Sequence, residues 1–210
     1  MPFALSIITA AFVGVLLWAE FNKSIRWKWI AKPAASLGFV MVAITCGAFS
    51  TMTGLWILLG LVFCMIGDVL LIPQNARSFL AGMAAFAAGH LTYIAAFITL
   101  DPHLKPATYL VAVLMIAGGA VILNKLWPHL AAMRGPVAIY STIIAAMVIA
   151  STLATPIDAP LRYGFVIGAI GFAISDVFVA RDQFVTNKFF NKALGLPLYY
   201  GAQLILASSV

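Results

Sequence analysis

The sequence predicts an all-α fold, a polytopic membrane helix bundle of about eight transmembrane helices that forms a single integral membrane domain over residues 1–210. Two observations predict this class. Hydrophobic residues make up 64% of the chain and charged residues 9%, whereas a soluble domain carries about 25% charged residues. Alternating apolar and polar strands are absent, which argues against a barrel, and helices are the other way to satisfy a backbone in lipid.

Eight apolar stretches have lengths of roughly 17 to 23 residues, enough to cross the bilayer core. We expect spans at residues 3–19, 33–49, 53–72, 78–100, 108–126, 135–154, 162–180 and 191–208. No positive charge precedes the first stretch and Lys23 follows it, which is typical of a first span and not of a cleaved signal peptide. The connecting segments are short, so neighbouring helices should pack antiparallel.

The distribution of lysine and arginine predicts the orientation. The segments after spans 1, 3, 5 and 7 hold ten of these residues, and the segments at the other side hold two, Lys105 and Arg162. The positive-inside rule then puts both termini outside the cytoplasm. The net charge of +6 is therefore a topology signal, and it does not indicate nucleic-acid binding.

Two similar stretches, IGDVLL at residues 66–71 and ISDVFV at residues 174–179, each place one aspartate inside a span. A charge at membrane depth costs roughly 3 kcal/mol or more, so Asp68 and Asp176 should face the bundle interior and serve a function. Asp68 precedes Pro73 by five residues and Asp176 precedes Arg181 by five. At 1.5 Å per residue, both carboxylates should lie about 7–8 Å inside the cytoplasmic boundary, on parallel helices.

The similarity of the two halves extends beyond the aspartates. A cation and a proline open span 2 (Lys32, Pro33) and span 6 (Arg134, Pro136), and spans 4 and 8 each carry a polar patch. This suggests two parallel four-helix repeats around a pseudo-twofold axis along the membrane normal.

Other polar side chains fall at compatible depths and are candidates for substrate binding. His90 and Tyr93 share one face of span 4, as Tyr199 and Gln203 share one face of span 8. The whole candidate set, expected to line a cavity open to the cytoplasmic leaflet, is Lys32, His90, Tyr93, Tyr140, Ser175, Tyr199, Tyr200 and Gln203.

Each of these residues has a purely structural alternative. Either aspartate could instead form a buried ion pair with Lys32, and His90 could be a core histidine bonded to a carbonyl group. Tyr140 could be an ordinary interfacial aromatic residue, and Gln203 could simply join two helices. Tyr199 and Tyr200 are adjacent, so we expect only one of them to point inward.

The few titratable side chains within the predicted spans limit the kinds of catalytic site that the chain could form. A zinc site needs several His, Cys or carboxylate ligands, and His90 is the only histidine within a span. A triad of Ser175, His90 and Asp176 is conceivable, but adjacent residues on a helix point about 100° apart. Two carboxylates held together in low dielectric cannot both ionise, which provides a proton donor and a base at once.

The order and spacing of these residues resemble the lysoplasmalogenase (YhhN-like) integral membrane family over nearly the whole chain. The matching pieces are Lys32-Pro33, Phe63-x-x-x-Gly67-Asp68-x-x-Leu71, Phe86-x-x-x-His90-x-x-Tyr93, Ser175-Asp176-x-x-x-Ala180 and Tyr199-Tyr200-x-x-Gln203. Two positions depart from the family's pattern: Cys64 stands where serine is expected, and Gly89 where alanine is common.

The resemblance implies a hydrolase that cleaves the vinyl-ether bond of lysoplasmalogens to a fatty aldehyde and a glycerophospho-alcohol. One of Asp68 and Asp176 would be the acid, and the other would hold water and stabilise the oxocarbenium ion. From their depths in the membrane, we expect Lys32 to meet the lipid phosphate, and Tyr140, His90 and Gln203 to position water or glycerol. The substrate would be a lysophospholipid within the bilayer, with water as co-substrate, no metal or organic cofactor and no obligate protein partner. We expect a bacterial inner membrane, with the active site toward the cytoplasmic leaflet.

Two other functions compete with this one. A proton-coupled transporter of a small molecule or lipid would also use paired intramembrane acids and a parallel repeat. An intramembrane aspartyl protease also places one aspartate on each of two spans, but Met65 and Ile66 precede Gly67-Asp68 where such proteases have Gly-x-Gly-Asp.

Overall fold

A computed structural model describes residues 1–154 and 163–210, and within them it contains eight long α-helices joined by short segments. The helices are α1 Pro2–Phe21, α2 Ile25–Thr45, α3 Met52–Leu70, α4 Ala76–Ile98, α5 Pro106–Leu126, α6 Arg134–Leu153, α7 Tyr163–Phe184 and α8 Phe189–Ser208. Arg162, one of the two cations expected on the side opposite the cytoplasm, lies outside the described residues.

Six of the described helices, all except α2 and α8, are long and apolar enough to cross a membrane. The other two have a similar length, of 21 and 20 residues, but each contains a proline, Pro33 or Pro197, and several charged or polar side chains. The chain is an integral membrane protein built as an all-α bundle, and the fold class predicted from the sequence is confirmed.

Helices α2 and α7 differ most from the predicted spans, and α2 also ends at Thr45, four residues before the predicted end. Helix α2 begins at Ile25, so the prediction that Lys32 and Pro33 open this span is wrong, and Pro33 lies inside the helix. The added turns are stabilised because Lys28 is buried and its Nζ lies 2.7 Å from Glu20 Oε2 of α1. Helix α7 continues past Arg181 to Phe184 for a related reason: Asp182 in its last turn pairs with Lys192 of α8.

Most helix pairings of the two halves correspond, although α1 packs against α8 and α5 makes no comparable contact with α4. Helix α3 packs along α4 as α7 packs along α8, and α1 packs on α2 as α5 packs on α6. Across the halves, α2 contacts α8 and α6 contacts α4. These pairings are the ones that two parallel four-helix repeats would produce.

The first aspartate has a small neighbour because two helices approach closely there. A Cβ added at Gly67 of α3 would lie 2.8 Å from the ring of Phe86 of α4, which is closer than van der Waals contact. Glycine therefore lets the Phe86 ring pack directly against α3, one residue before Asp68.

Helix α5 is the least packed of the described helices. Only Thr108 and Leu126 are buried along its length, whereas α3 and α4 each bury eight or more residues. Added Cβ atoms at Gly118 and Gly119 would meet nothing within 4 Å. An open space therefore lies between this helix and the rest of the bundle.

Candidate active site

Asp68 lies in the interior of the bundle with a dense set of partners. Its side chain is almost fully buried, and Lys32 Nζ lies 3.2 Å from its Oδ1. The hydroxyls of Ser36 and Tyr199 each donate to Oδ2 at 2.7 Å. The Ser36 proton is also within reach of the Lys32 carbonyl oxygen, at 2.9 Å, but the contact with the carboxylate is shorter. One cation and two hydroxyls from α2 and α8 therefore surround this carboxylate.

Asp176 has a much simpler environment. The Tyr140 hydroxyl of α6 donates to its Oδ2 at 2.8 Å, and among the described residues no ion pair reaches this carboxylate. Asp176 is partly exposed within the bundle, because one side of it faces the cavity described below. The two aspartates have similar neighbours in sequence, but the surrounding helices give them different hydrogen-bond and ion-pair partners.

The two carboxylates share one cavity without touching each other. Within residues 1–154 and 163–210, no hydrogen bond joins Asp68 to Asp176. Both line a cavity of about 690 Å³, together with Lys32, Tyr140 and Tyr199. Ligand pockets commonly have volumes of about 300–1,000 Å³, so a small lipid head and part of a chain fit in this space.

The cavity has a polar end and an apolar side. At the polar end it is lined by Glu20, Gln74, Asp182, Asn187 and Lys192, where the turns after α1, α3 and α7 meet. Along the side it is lined by apolar residues of α5, α6 and α7, namely Leu114, Met115, Ile122, Ile144, Ala145, Ile170 and Ala173. Such a cavity suits an amphiphile, with its polar group at the end and its chain along the side.

His90 lies behind the cavity wall with one ring nitrogen unused. Its Nδ1 contacts the Phe86 carbonyl oxygen. His90 is therefore a buried histidine bonded to a carbonyl group, as the structural interpretation of the sequence predicted. Its Nε2 is buried and has no hydrogen-bond partner among the described residues. The ring centroid lies 4.5 Å from that of Phe172 and 5.5 Å from that of Tyr140. An unpaired buried nitrogen is unusual in a folded protein, and here it lies beside the tyrosine that holds Asp176.

A chain of hydrogen bonds leads from α4 to Asp68. The Tyr93 hydroxyl donates to Gln203 Oε1 at 2.8 Å, and Gln203 Nε2 donates to the Tyr199 hydroxyl at 3.3 Å. Because the Tyr199 hydroxyl in turn donates to Asp68, the hydrogen bonds run in one direction from Tyr93 to the carboxylate. Gln203 thus joins helices α4 and α8, which is the structural role that the sequence left open for it. It also orients the Tyr199 hydroxyl that donates to Asp68.

Tyr200 reaches the same region, although we expected only one of the two adjacent tyrosines to do so. Its hydroxyl lies 3.3 Å from Ser36 Oγ, and its ring is buried next to that of Tyr199 at 4.8 Å. That expectation was wrong because a tyrosine hydroxyl stands far enough from its Cα for neighbouring residues to converge. Ser175 is buried and donates to the Phe172 carbonyl oxygen at 2.7 Å. Like Tyr93, Tyr200 and Gln203, it does not line the cavity, so the expectation that these four residues would line it is wrong.

Three contributors to the site were missed from the sequence. Ser36 follows Lys32 by four residues and so shares its helix face, a spacing that could have identified it. Phe86 and Phe172 form an aromatic wall against Tyr199, with ring centroids 5.9 Å and 5.2 Å away. Phe86 begins one of the stretches that resemble the family, but nothing in the sequence distinguishes Phe172 from the chain's other phenylalanines. Among the described residues, no group of three His, Cys, Asp or Glu side chains is arranged to hold a metal ion.

Comparison with known proteins gives one family. The sequence model of the YhhN family matches residues 27–210. The chain is 32% identical over 158 residues to "Lysoplasmalogenase TMEM86A" of Bos taurus, an alignment that covers 73% of this chain and 64% of that protein. It is 33% identical over 161 residues to "Lysoplasmalogenase" of Mycobacterium bovis, covering 73% and 59%. It is 30% identical over 215 residues to "Lysoplasmalogenase TMEM86B" of Rattus norvegicus, covering 96% and 81%.

The chain spans roughly three fifths of the length of the first two of these relatives. No solved structure matches it.

Proposed function

The chain belongs to the YhhN family, and we propose that it is a membrane hydrolase that cleaves the vinyl-ether bond of lysoplasmalogens. The products would be a fatty aldehyde and a glycerophospho-alcohol. One observation carries the proposal: two intramembrane carboxylates, Asp68 and Asp176, line a single amphiphilic cavity. The names of the relatives agree with hydrolysis and do not favour transport.

The two carboxylates have different roles in this proposal. Asp68 is in contact with the Lys32 ammonium and two donated hydroxyl protons, and all three contacts favour its ionised form. Asp176 accepts from one neutral hydroxyl, that of Tyr140, and faces an apolar cavity side. We therefore assign the proton donor to Asp176 and the permanent negative charge to Asp68.

The reaction follows from vinyl-ether chemistry. Asp176 gives its proton to the β-carbon of the vinyl ether, which leaves an oxocarbenium ion at the α-carbon and a carboxylate on Asp176. Water then adds to the α-carbon, and its proton returns to Asp176. The hemiacetal so formed collapses to the aldehyde and the free hydroxyl of the glycerol. One water is consumed, no electrons are gained or lost, and Asp176 ends in its starting form.

The remaining polar residues act by holding these groups in place. The Asp68 carboxylate stabilises the oxocarbenium ion, and Lys32, Ser36 and Tyr199 keep that carboxylate fixed. Such preorganised charge is commonly the largest contribution to enzymatic rate acceleration. The His90 ring packs edge-on against the Tyr140 ring and so helps to hold the tyrosine that donates to Asp176.

Three candidates from the sequence take supporting roles in this proposal, and a fourth does not. Tyr93 and Gln203 orient the Tyr199 hydroxyl, and Tyr200 supports Ser36. Ser175, whose hydroxyl is bonded to its own helix, is assigned to packing and not to substrate binding.

Fatty-aldehyde release from a lysoplasmalogen by the detergent-purified full chain tests the proposal. Wild-type protein should release aldehyde, and Asp68→Asn and Asp176→Asn variants should release almost none. Asp101→Asn is the matched control, because the Asp101 side chain is 94% exposed and lies in a loop. A lysolipid with a saturated ether in place of the vinyl ether should stay intact, since it has no double bond to protonate. No release from the wild type with any head group would contradict the proposal, and proton-driven uptake of a solute or lipid would then support transport.

A further inference from the structure

A second cavity adjoins the polar end of the first. It has a volume of about 390 Å³ and is lined by Lys23, Lys28 and Lys192, together with Glu20, Gln74, Asn187 and three apolar residues. Four of its lining residues, Glu20, Gln74, Asn187 and Lys192, also line the larger cavity. We call this second cavity the vestibule, because it forms the polar continuation of the cavity that contains Asp68 and Asp176.

The charges around the vestibule leave an excess of cations. Glu20 Oε2 lies 2.7 Å from Lys28 Nζ and 3.2 Å from Lys192 Nζ, and Lys192 lies a further 3.6 Å from Asp182. Lys23 is exposed and makes no ion pair among the described residues. Three lysines thus line the vestibule against one carboxylate, with Asp182 at its boundary. The Lys23 ammonium is therefore available to a bound anion, and Lys192 is shared between Glu20 and Asp182.

The backbone around the vestibule is held in an uncommon conformation. Lys23 has φ 53° and Gln74 has φ 54°, in the left-handed region where only a few per cent of non-glycine residues are found. Within the described chain four non-glycine residues adopt it, and two of them line this one cavity. Such conformations are unfavourable and gather at ligand-binding sites, where the surrounding structure maintains them.

We propose that the vestibule binds the phosphate of the lysolipid head group. Lys23 and Lys192 would supply the cations, and the side-chain amides of Gln74 and Asn187 would donate to phosphate oxygens. Lys28, which is buried against Glu20, would hold that acid away from the phosphate. Charge-assisted hydrogen bonds to an anion are the strong ones, and ammonium groups are common phosphate ligands as point charges. This inference rests on the proposed function, which defines the substrate as a lysophospholipid.

The spacing of the two cavities fits such a substrate. Asp182 follows Asp176 by six residues on the continuous helix α7, so it lies about 9 Å further along the helix axis. Lys192 is in contact with Asp182 and so lies at that level. In a lysoplasmalogen the glycerol backbone separates the vinyl ether from the phosphate. A vinyl ether placed beside Asp176 therefore directs its phosphate toward the vestibule.

Lys32, the phosphate ligand expected from the sequence, is poorly placed for that role. Its Nζ lies 3.2 Å from Asp68 Oδ1, and its side chain is 12% exposed. A phosphate in contact with Lys32 would bring a second negative charge close to Asp68 in low dielectric, which is unfavourable. The vestibule separates the two anions.

Binding of a lysophospholipid that cannot be cleaved tests the proposal without relying on catalysis. The full chain in zwitterionic detergent would be titrated with a saturated-ether lysophospholipid and, separately, with the alkylglycerol that lacks the phosphate. Wild-type protein should bind the phospholipid at least tenfold more tightly. In Lys23→Gln and Lys192→Gln variants this preference should fall by about tenfold or more, since each lost charge-assisted contact is worth about one factor of ten. Arg26→Gln is the matched control, because Arg26 is exposed nearby and does not line the vestibule.

The outcomes separate this inference from the proposed function. Lys23 is exposed, so Lys23→Gln should fold normally, and this variant decides alone if Lys192→Gln does not fold. Retention of the wild-type preference in Lys23→Gln would overturn the vestibule assignment, even if aldehyde release is normal. Loss of the preference supports the assignment even if no aldehyde is released. Inorganic phosphate and glycerophosphoethanolamine are added as competitors. Displacement of the lysolipid by glycerophosphoethanolamine alone identifies a head-group site. Equal displacement by both compounds indicates a general phosphate site.

Discussion

The Tyr140 hydroxyl donates a 2.8 Å hydrogen bond to Asp176 Oδ2. Among the described residues, no other side chain donates a hydrogen bond to this carboxylate. Asp68, its counterpart in the other half of the chain, accepts from a lysine and two hydroxyls. Two aspartates with similar sequence surroundings therefore occupy unlike sites. The difference comes from the helices packed against them, α6 for Asp176, and α2 and α8 for Asp68.

Replacing Tyr140 by phenylalanine should lower kcat for aldehyde release by about tenfold, because a single hydrogen bond worth about 1.4 kcal/mol is lost. KM should change little, since the ring that packs against His90 is kept. Steady-state kinetics on the purified full chain would measure both constants. Tyr109→Phe is the control, because Tyr109 is 60% exposed on α5. An unchanged kcat would show that Tyr140 is only a packing residue.

Replacing Lys32 by methionine should destabilise the folded protein by about 3–5 kcal/mol, because the buried Asp68 charge then has no cationic partner. The double variant Lys32→Met/Asp68→Asn should recover much of that loss, since both charges are gone, while remaining inactive. Thermal unfolding in one detergent would give the comparison. A double variant as unstable as Lys32→Met would mean that the ion pair is not the reason for the loss.

Hydrolysis in heavy water should place one deuterium on the aldehyde carbon next to the carbonyl group, because that carbon is the β-carbon that Asp176 protonates. Mass spectrometry of the trapped aldehyde would detect it. The same aldehyde, incubated with the inactive Asp176→Asn variant, controls for exchange after release. An aldehyde without deuterium would exclude β-carbon protonation and with it the role given to Asp176.

Substituting alanine for Gly67 should destabilise the protein by about 1–3 kcal/mol, because the new methyl group would overlap the ring of Phe86. Gly118→Ala should be neutral or slightly stabilising, since its methyl group would meet nothing within 4 Å and alanine is the better helix former. Unfolding of the two variants, measured side by side, separates the effect of close helix packing from that of helix propensity. Equal stability of the two would contradict the close approach of α3 and α4.

The sequence predicts most of the fold because lipid leaves few choices. Long apolar stretches must be helices, and a buried carboxylate must face the interior, so Asp68 and Asp176 could be identified without a structure. The start of α2 could not be predicted, because Arg26 and Lys28 resemble cations of a loop in the sequence. Only the structure shows that Glu20 forms an ion pair with Lys28. The different partners of the two aspartates could not be predicted either. They depend on which helices pack together, and a repeat in sequence carries no information about that difference.

The loosely packed helix α5 would have a consequence for the products of the proposed reaction. It forms part of the cavity's apolar side, while most of its own surface is free to meet lipid. The vestibule adjoins the cavity at its polar end. A reaction carried out between them would divide one molecule into two that prefer different phases. The aldehyde would leave sideways into the bilayer and the glycerophospho-alcohol would leave into water, so neither product would obstruct the path of the other.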